Sequence, residues 1–420
     1  MTMRVLDIWW EGRLVGQLTQ NQHGELGFVY APAWLEDEAA PAVSASLSKR
    51  VEPFTRRECR PFFGGLLPEA SQRDAAARAL GVSPGNDFAL LDRLGGDVAG
   101  ALQLLPPGTT PTVFTRDQQQ FPLDEAELIH VLDKLPLHPL LAGEEELRLS
   151  LAGAQSKVPV VLVGGAVALP APGEPTTHIL KPSIARFPAT TENEAFVMRL
   201  AAAIGLDVAP VEPRVVRDRT FLLVQRYDRA LGEGSNPRRI HQEDFCQALG
   251  VPPETKYAGE GGPTFKDCFA LLRRAAARPA VEVLKLLDAV IFNVIAGNAD
   301  AHGKNFSILY DDSGPRLAPL YDLLATVAYP ELSPKFAMKI GKRVTLAELD
   351  AKDWAAFAAD TGLGLPLIRR RVAEIGASVG IRAEEVASDL LRPGLDKAAL
   401  LKFSRMVSER AQKCVLTMSG

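Results

Sequence analysis

The chain is poor in cysteine, in histidine and in unbalanced charge, and each shortage excludes a class of protein. Its four cysteines, Cys59, Cys246, Cys268 and Cys414, are scattered without Cys-x-x-Cys spacing, and no pair of histidines stands three to five residues apart beside them. A disulfide scaffold and a zinc finger are therefore excluded. Forty-seven Lys and Arg against fifty-one Asp and Glu leave a formal charge of −4, which indicates neither a polybasic nucleic-acid surface nor an acidic tail. Long apolar runs are missing too: the strongest, Val283 to Ala296, carries Lys285 and Asp288 and falls short of the ~20 residues a membrane span needs. The N-terminal stretch meets Asp7 before any signal-peptide core can form, so the expectation is a cytoplasmic protein with no membrane contact. What is present is the balance of a folded protein, 47% hydrophobic and 23% charged over 420 residues, enough for two or three domains at roughly 150 residues each.

From Arg4 to Tyr30, apolar residues alternate or cluster between the turn signals Glu11-Gly12 and His23-Gly24, which predicts two or three short antiparallel strands. After Phe62-Phe63-Gly-Gly-Leu-Leu-Pro-Glu69 the pattern turns helical, over Arg73–Leu80 before Gly81 and over Asn86–Leu91. The Pro- and Thr-rich stretch from Leu105 to Thr112 reads as a linker. A helix follows over Leu123–Leu135, then strands over Lys157–Val163 and His178–Lys181, a helix over Glu192–Ile204, and strands over Arg214–Val216 and Phe221–Tyr227. Beyond Asp244 the chain reads as mainly helical, interrupted by a β-like stretch from Phe306 to Leu317. The expected class is α+β, sheet-rich first and helical second, without internal repeats.

The segment Asn298-Ala-Asp300-Ala-His302-Gly-Lys304-Asn305 puts an acid, an imidazole and an amide on one loop between an apolar helix and a strand, the usual setting for reactive groups. A hairpin turned at Asp311-Asp-Ser-Gly314 would bring Asp322 back beside Asn305. Such a set suits phosphoryl transfer: a triphosphate needs a divalent metal on oxygen ligands, and the attacking hydroxyl needs a carboxylate to accept its proton. Asp300 fits the base, Asn305 and Asp322 the metal ligands. Upstream, Lys181 ends a strand and Glu194 lies early in the next helix; the two read either as a phosphate-positioning pair or as ordinary surface charges. Ser150 is followed by Leu151 and then Ala152-Gly153-Ala154-Gln155-Ser156-Lys157, a small-residue turn, read alone as a tight turn and otherwise as a loop whose N–H groups approach a phosphate. Gln225-Arg226-Tyr227 reads as an edge strand or as a hinge offering backbone groups and an aromatic ring to a base.

In order along the chain these segments resemble the HipA-like toxin kinases of bacterial type II toxin–antitoxin systems. The resemblance extends through Gly95-Gly-Asp-Val-Ala-Gly-Ala-Leu-Gln103, Arg239 to Gly250 and Lys256 to Pro263. It implies a bilobal protein-kinase-like fold: an N-terminal subdomain over 1–110, a kinase N-lobe with the nucleotide loop over 111–227, and a helical C-lobe over 228–420. It implies ATP and Mg2+, Asp300 as proton acceptor, Asn305 and Asp322 as metal ligands, and Lys181 as the phosphate-binding lysine. Ala152 to Lys157 would form the nucleotide loop and Gln225, Arg226 and Tyr227 the adenine site, with Gln225 standing where the family often has Glu. His302, Lys304 and Tyr321 would complete the nucleotide site. Ser150 would be autophosphorylated, and a phosphate of about −1.5 to −2 charges there would repel ATP. The implied partners are a protein substrate, an aminoacyl-tRNA synthetase being the best-known kind, and a small helix-turn-helix antitoxin through which the protein reaches operator DNA. Two other functions stay open on the residues: a small-molecule kinase using the same acid set, and a catalytically silent corepressor bound to an antitoxin.

Overall fold

The computed structural model describes residues 3–112, 114, 121–143, 147–230 and 237–419. The chain divides into two compact units and crosses between them repeatedly: the first is Met1–Pro182, Gln225–Glu254 and Leu309–Asp311, the second Ser183–Val224, Thr255–Ile308 and Asp312–Gly420.

The first unit opens with β1 (Arg4–Trp10) and β2 (Arg13–Gln20). Glu11 and Gly12 join them at φ 48° and 75°, the doubly positive pattern that matches the twist of a two-residue hairpin. β3 (Leu26–Tyr30) completes the strands expected over this stretch. Helices α1 (Pro32–Glu36), α2 (Arg56–Gly65), α3 (Ala70–Leu80) and α4 (Asp87–Leu94) follow. The helical region thus begins before Phe62, because Thr55 and Glu58 form a capping box and Pro61 sits within α2. Leu105, first residue of the Pro/Thr-rich stretch, closes β4 (Leu102–Leu105), which pairs antiparallel with β1 and gives the order β3-β2-β1-β4. Phe28, Phe54, Phe62 and Phe63 fill the core beneath this sheet, Phe62 and Phe63 meeting edge to face at 5.1 Å. After α5 (Glu125–Lys134) come β5 (Val158–Val163), β6 (Ala166–Ala168) and β7 (His178–Pro182), with β5 pairing antiparallel to both β6 and β7.

The second unit takes up α6 (Thr190–Ala203) and the antiparallel pair β8 (Val211–Val216) and β9 (Arg219–Gln225), all but the last residue of β9. The chain then returns to the first unit for β10 (Arg229–Ala230), β11 (Arg238–Arg239), β12 (His241–Asp244) and α7 (Phe245–Ala248). On β12 the carboxyl of Glu243 is fully buried and accepts from the Ser44 hydroxyl, the Ala45 N–H and the Tyr310 hydroxyl. Burial pushes its pKa up to about 7 against the lowering effect of those donors.

The rest of the second unit is α8 (Phe265–Ala275), α9 (Pro279–Ala296), most of the turn formed by β13 (Ser307–Asp311) and β14 (Gly314–Leu317), and then α10 (Ala351–Thr361), α11 (Leu365–Asp389) and α12 (Lys397–Ser419). Pro279 starts α9 and Gly297 ends it in the left-handed region at φ 80°. Between them α9 is buried nearly all round, as a helix at the centre of a bundle must be. Phe357 of α10 meets Phe265 and Phe269 of α8, and Trp354 of its own helix, in edge-to-face contacts. Among the described residues no helix is long and apolar enough to cross a membrane.

Candidate active site

In the second unit the candidate residues sit on two segments held to α9. Gly297 has to be glycine: besides its positive φ, a Cβ there would lie 2.4 Å from Val327. The loop that follows is pinned by amide side chains, with Asn298 Oδ1 accepting from the Asp300 N–H (3.1 Å) and Asn298 Nδ2 donating to Asn293 Oδ1 on α9 (2.8 Å). Asp300 thereby stands exposed at the tip of the loop while His302, Lys304 and Asn305 are buried behind it. The His302 ring meets Tyr257 edge to face at 5.5 Å.

The β13–β14 turn does return Asp322 to Asn305, whose Nδ2 donates to Asp322 Oδ2 at 2.9 Å. Tyr321 locks the same place, its hydroxyl donating to Lys304 O at 2.7 Å and meeting the Ser307 hydroxyl at 2.8 Å. Asp322 holds φ 57°, a left-handed backbone that costs a non-glycine residue about 1 kcal/mol or more and gathers at functional sites. Asn305 Oδ1 is buried and, among the described residues, has no hydrogen-bond partner. An unsatisfied amide oxygen beside a carboxylate is an oxygen donor pair of the kind that suits a hard divalent cation such as Mg2+, which takes few protein ligands and completes its shell with water and phosphate. The residues present fit the group.

In the first unit, Ser150 and the loop after it are fastened to the Phe62–Glu69 region. Ser150 is fully buried; its hydroxyl donates to Leu66 O (2.7 Å) and its N–H to Asp97 O (2.9 Å). Gly153, at φ 116°, accepts from the Glu69 N–H (3.1 Å), and a Cβ on it would meet Lys157 Nζ at 2.5 Å. The loop closes on itself through Lys157 Nζ, which donates to Ala152 O at 2.6 Å, while Ser156 Oγ donates to Gln72 Oε1 at 3.1 Å. Ala154 is exposed and Gln155 half-buried. The sequence marked the Phe62–Glu69 run only as a motif; its task in the structure is to seat this loop.

Lys181 is buried on β7 of this unit, while Glu194 is buried on α6 of the second unit. Gln225 and Tyr227 are half-buried, and the Tyr227 hydroxyl donates to Gln242 Oε1. Arg226 points the other way. Its guanidinium is buried and donates to Asp228, Asp97, Thr176 Oγ1 and Val98 O, and its N–H donates to Thr177 O. Asp97 is the centre of this cluster, also accepting from Arg229 and Arg239, each at 2.9 Å. Burial alone would raise the Asp97 pKa, but Arg229, Arg239 and Arg226 together hold it well below the ordinary carboxylate range.

Fold and site together define a kinase-like protein of mixed helix and sheet. A model of the HipA N-terminal domain matches residues 6–105 and one of the HipA-like C-terminal domain matches residues 149–387. The chain belongs to the HipA-like kinase family. Y4mE of Sinorhizobium fredii, provisionally named a kinase, is 67% identical over 98% of this chain and 99% of its own. The serine/threonine-protein kinase toxin HipA of Shewanella oneidensis is 32% identical over 82% of this chain and 80% of its own. The solved complex of Shewanella oneidensis HipA with HipB and operator DNA superposes with a TM-score of 0.86 at 27% identity, covering 99% of this chain and 98% of that one.

Proposed function

We propose that the chain is an ATP-dependent serine/threonine protein kinase acting as the toxin of a toxin–antitoxin pair in the cytoplasm. The observation that carries the reading is the pairing of Asn305 with Asp322 at 2.9 Å one short turn from the exposed carboxylate of Asp300. Asp300 accepts the proton of the acceptor hydroxyl; that oxygen bonds to the γ-phosphorus of ATP as the bond to the β-phosphate oxygen breaks, and ADP leaves. Mg2+, when bound, neutralises the phosphate charge that grows on the leaving group. Asn305 and Asp322 would hold it through oxygen, and Lys304 and His302, buried behind the loop, would line the phosphate site. Lys181, Ala152 to Lys157, Gln225, Arg226, Tyr227 and Tyr321 are the further residues proposed to bind nucleotide, as the resemblance implies. The proposal divides the chain functionally at 110 and 227, as the family resemblance implies.

The partners proposed are a protein substrate, an aminoacyl-tRNA synthetase being the kind the resemblance implies, and a small helix-turn-helix antitoxin that carries the chain to operator DNA. The net charge of −4 favours contact through such a partner over direct binding. Ser150 is proposed as the site of self-phosphorylation that ends activity.

Intact mass before and after incubation with Mg-ATP tests the reading, with Asp300→Asn alongside the wild type and sites mapped by fragmentation. One phosphate gained at Ser150 in the wild type alone is the expected result. Equal gain in Asp300→Asn removes Asp300 as the base. No gain in either, with ATP bound, leaves a kinase of another acceptor or a silent corepressor.

A further inference from the structure

The segment carrying Asp300 and the segment carrying Asp322 are separate stretches of chain, and a small set of polar groups sets their spacing. The Thr326 hydroxyl accepts from the Ala299 N–H at 2.8 Å and donates to Gly297 O at 3.1 Å, so it joins the two segments beside Asp300. One residue before it, Ala325 is read on both sides by a single amide. Asn193 Oδ1 accepts the Ala325 N–H (2.8 Å), and Asn193 Nδ2 donates to Ala325 O (3.2 Å) and to the Tyr329 hydroxyl (3.2 Å). Asn193 lies on α6 and is fully buried. Tyr329 in turn donates to Pro188 O at 3.1 Å. The sequence drew attention to Glu194 on this helix, yet the α6 side chain that grips the Asp322 segment within the unit is its neighbour Asn193.

We propose that Thr326 is a positioning residue for phosphoryl transfer, its hydroxyl fixing the register of the Asp300 loop against Asp322 while Asn193 steadies the segment from α6. The inference rests on the assignment of Asp300, Asn305 and Asp322 above. The Ala299 N–H loses its acceptor and has to find a new one, while Gly297 O keeps the Val327 N–H at 3.1 Å, so the loop moves at Ala299. The hydroxyl lies one residue from the base on one side and four from Asp322 on the other, so that movement falls on the distance the reaction depends on. A misplacement of about 1 Å can cost on the order of 100-fold in rate.

The test uses Thr326→Val, which keeps the branched shape and removes both bonds, and Thr326→Ser, which keeps the hydroxyl. Turnover is read as ADP release from Mg-ATP across a Mg2+ titration, and the Ala299 amide by hydrogen exchange. Thr326→Val should lower kcat about tenfold or more and raise the Mg2+ needed for half-maximal rate, with the KM for ATP within about twofold. Its Ala299 amide should exchange faster, and Thr326→Ser should restore rate, Mg2+ dependence and protection together. Wild-type turnover in Thr326→Val, or a loss that Thr326→Ser leaves unrepaired, overturns the role. A wild type that binds Mg-ATP and releases no ADP even with acceptor protein added overturns instead the assignment of Asp300 and its metal pair, and the role falls with it. The exchange of Ala299 then still reads whether the cross-link itself exists.

Discussion

The Asp97 cluster of the first unit and the Asn305–Asp322 pair of the second are both polar groups taken out of water, and they are finished differently. Around Asp97, carboxylates and guanidiniums are matched until Arg229 Nε is the one buried cluster atom without a partner among the described residues. At the pair, an amide oxygen is left open and the carboxylate beside it sits on a strained backbone. Matched charge is costly to break; an open donor set on strained backbone suits the cation-holding role proposed for it.

Four changes would break or sharpen that contrast. The largest effect belongs to Asp97→Asn, which leaves the two buried guanidiniums of Arg226 and Arg229 with the single carboxylate of Asp228 and takes the partner of half-buried Arg239. It should cost about 3–5 kcal/mol, measured by denaturant unfolding, and a loss near zero would show the cluster to be dispensable. Asp322→Gly should behave in the opposite sense. Relief of the left-handed backbone should raise stability by about 1 kcal/mol, while Mg2+-dependent ATP affinity in calorimetry should fall about 100-fold, or ~2.7 kcal/mol. A variant that loses both would place Asp322 with the structural charges.

The third change concerns Glu243. Its folded pKa, near 7, lies above the ordinary value, so the folded chain binds the extra proton and its contribution to stability is fully present below about pH 4.5. That contribution is lost as pH rises through 7. Glu243→Gln should flatten this slope in a series of unfolding curves between those limits, and an unchanged slope would locate the proton elsewhere. The smallest effect is expected for Glu385→Ala, which deletes an exposed pair with Arg382 on α11. It should move stability by less than about 0.5 kcal/mol, which calibrates the buried clusters against a surface one.

The sequence made the meeting of Asn305 with Asp322 readable because the two lie on one loop and one hairpin, where spacing along the chain is spacing in the molecule. The strands of Arg4–Tyr30 were readable for the same local reason. Asp97, Thr176, Arg226 and Arg239 were not: they converge from distant stretches, and nothing in the identity of Arg226 distinguishes a residue facing a nucleotide from one turned inward to a carboxylate. Asn193 and Thr326 left no signal either, since an amide inside a helix and a threonine in a loop fit any surface. α2 was missed because Pro61 and the two glycines Gly64 and Gly65 mark a break by propensity, while capping and the aromatic core beneath outweigh them.

The seat of Ser150 would make the phosphorylation proposed there a clock. Its hydroxyl is buried against Leu66, so the phosphorylation proposed for it would have to wait for the segment to open. If opening costs about 4 kcal/mol, roughly one molecule in a thousand is open at a time. Where opening and reseating outpace the chemistry, the modification rate scales with that fraction, and each 1.4 kcal/mol added to or removed from the seat lengthens or shortens the delay about tenfold. Substitutions along Leu66–Glu69 would then set how long the protein stays unmodified without touching a group that handles phosphate.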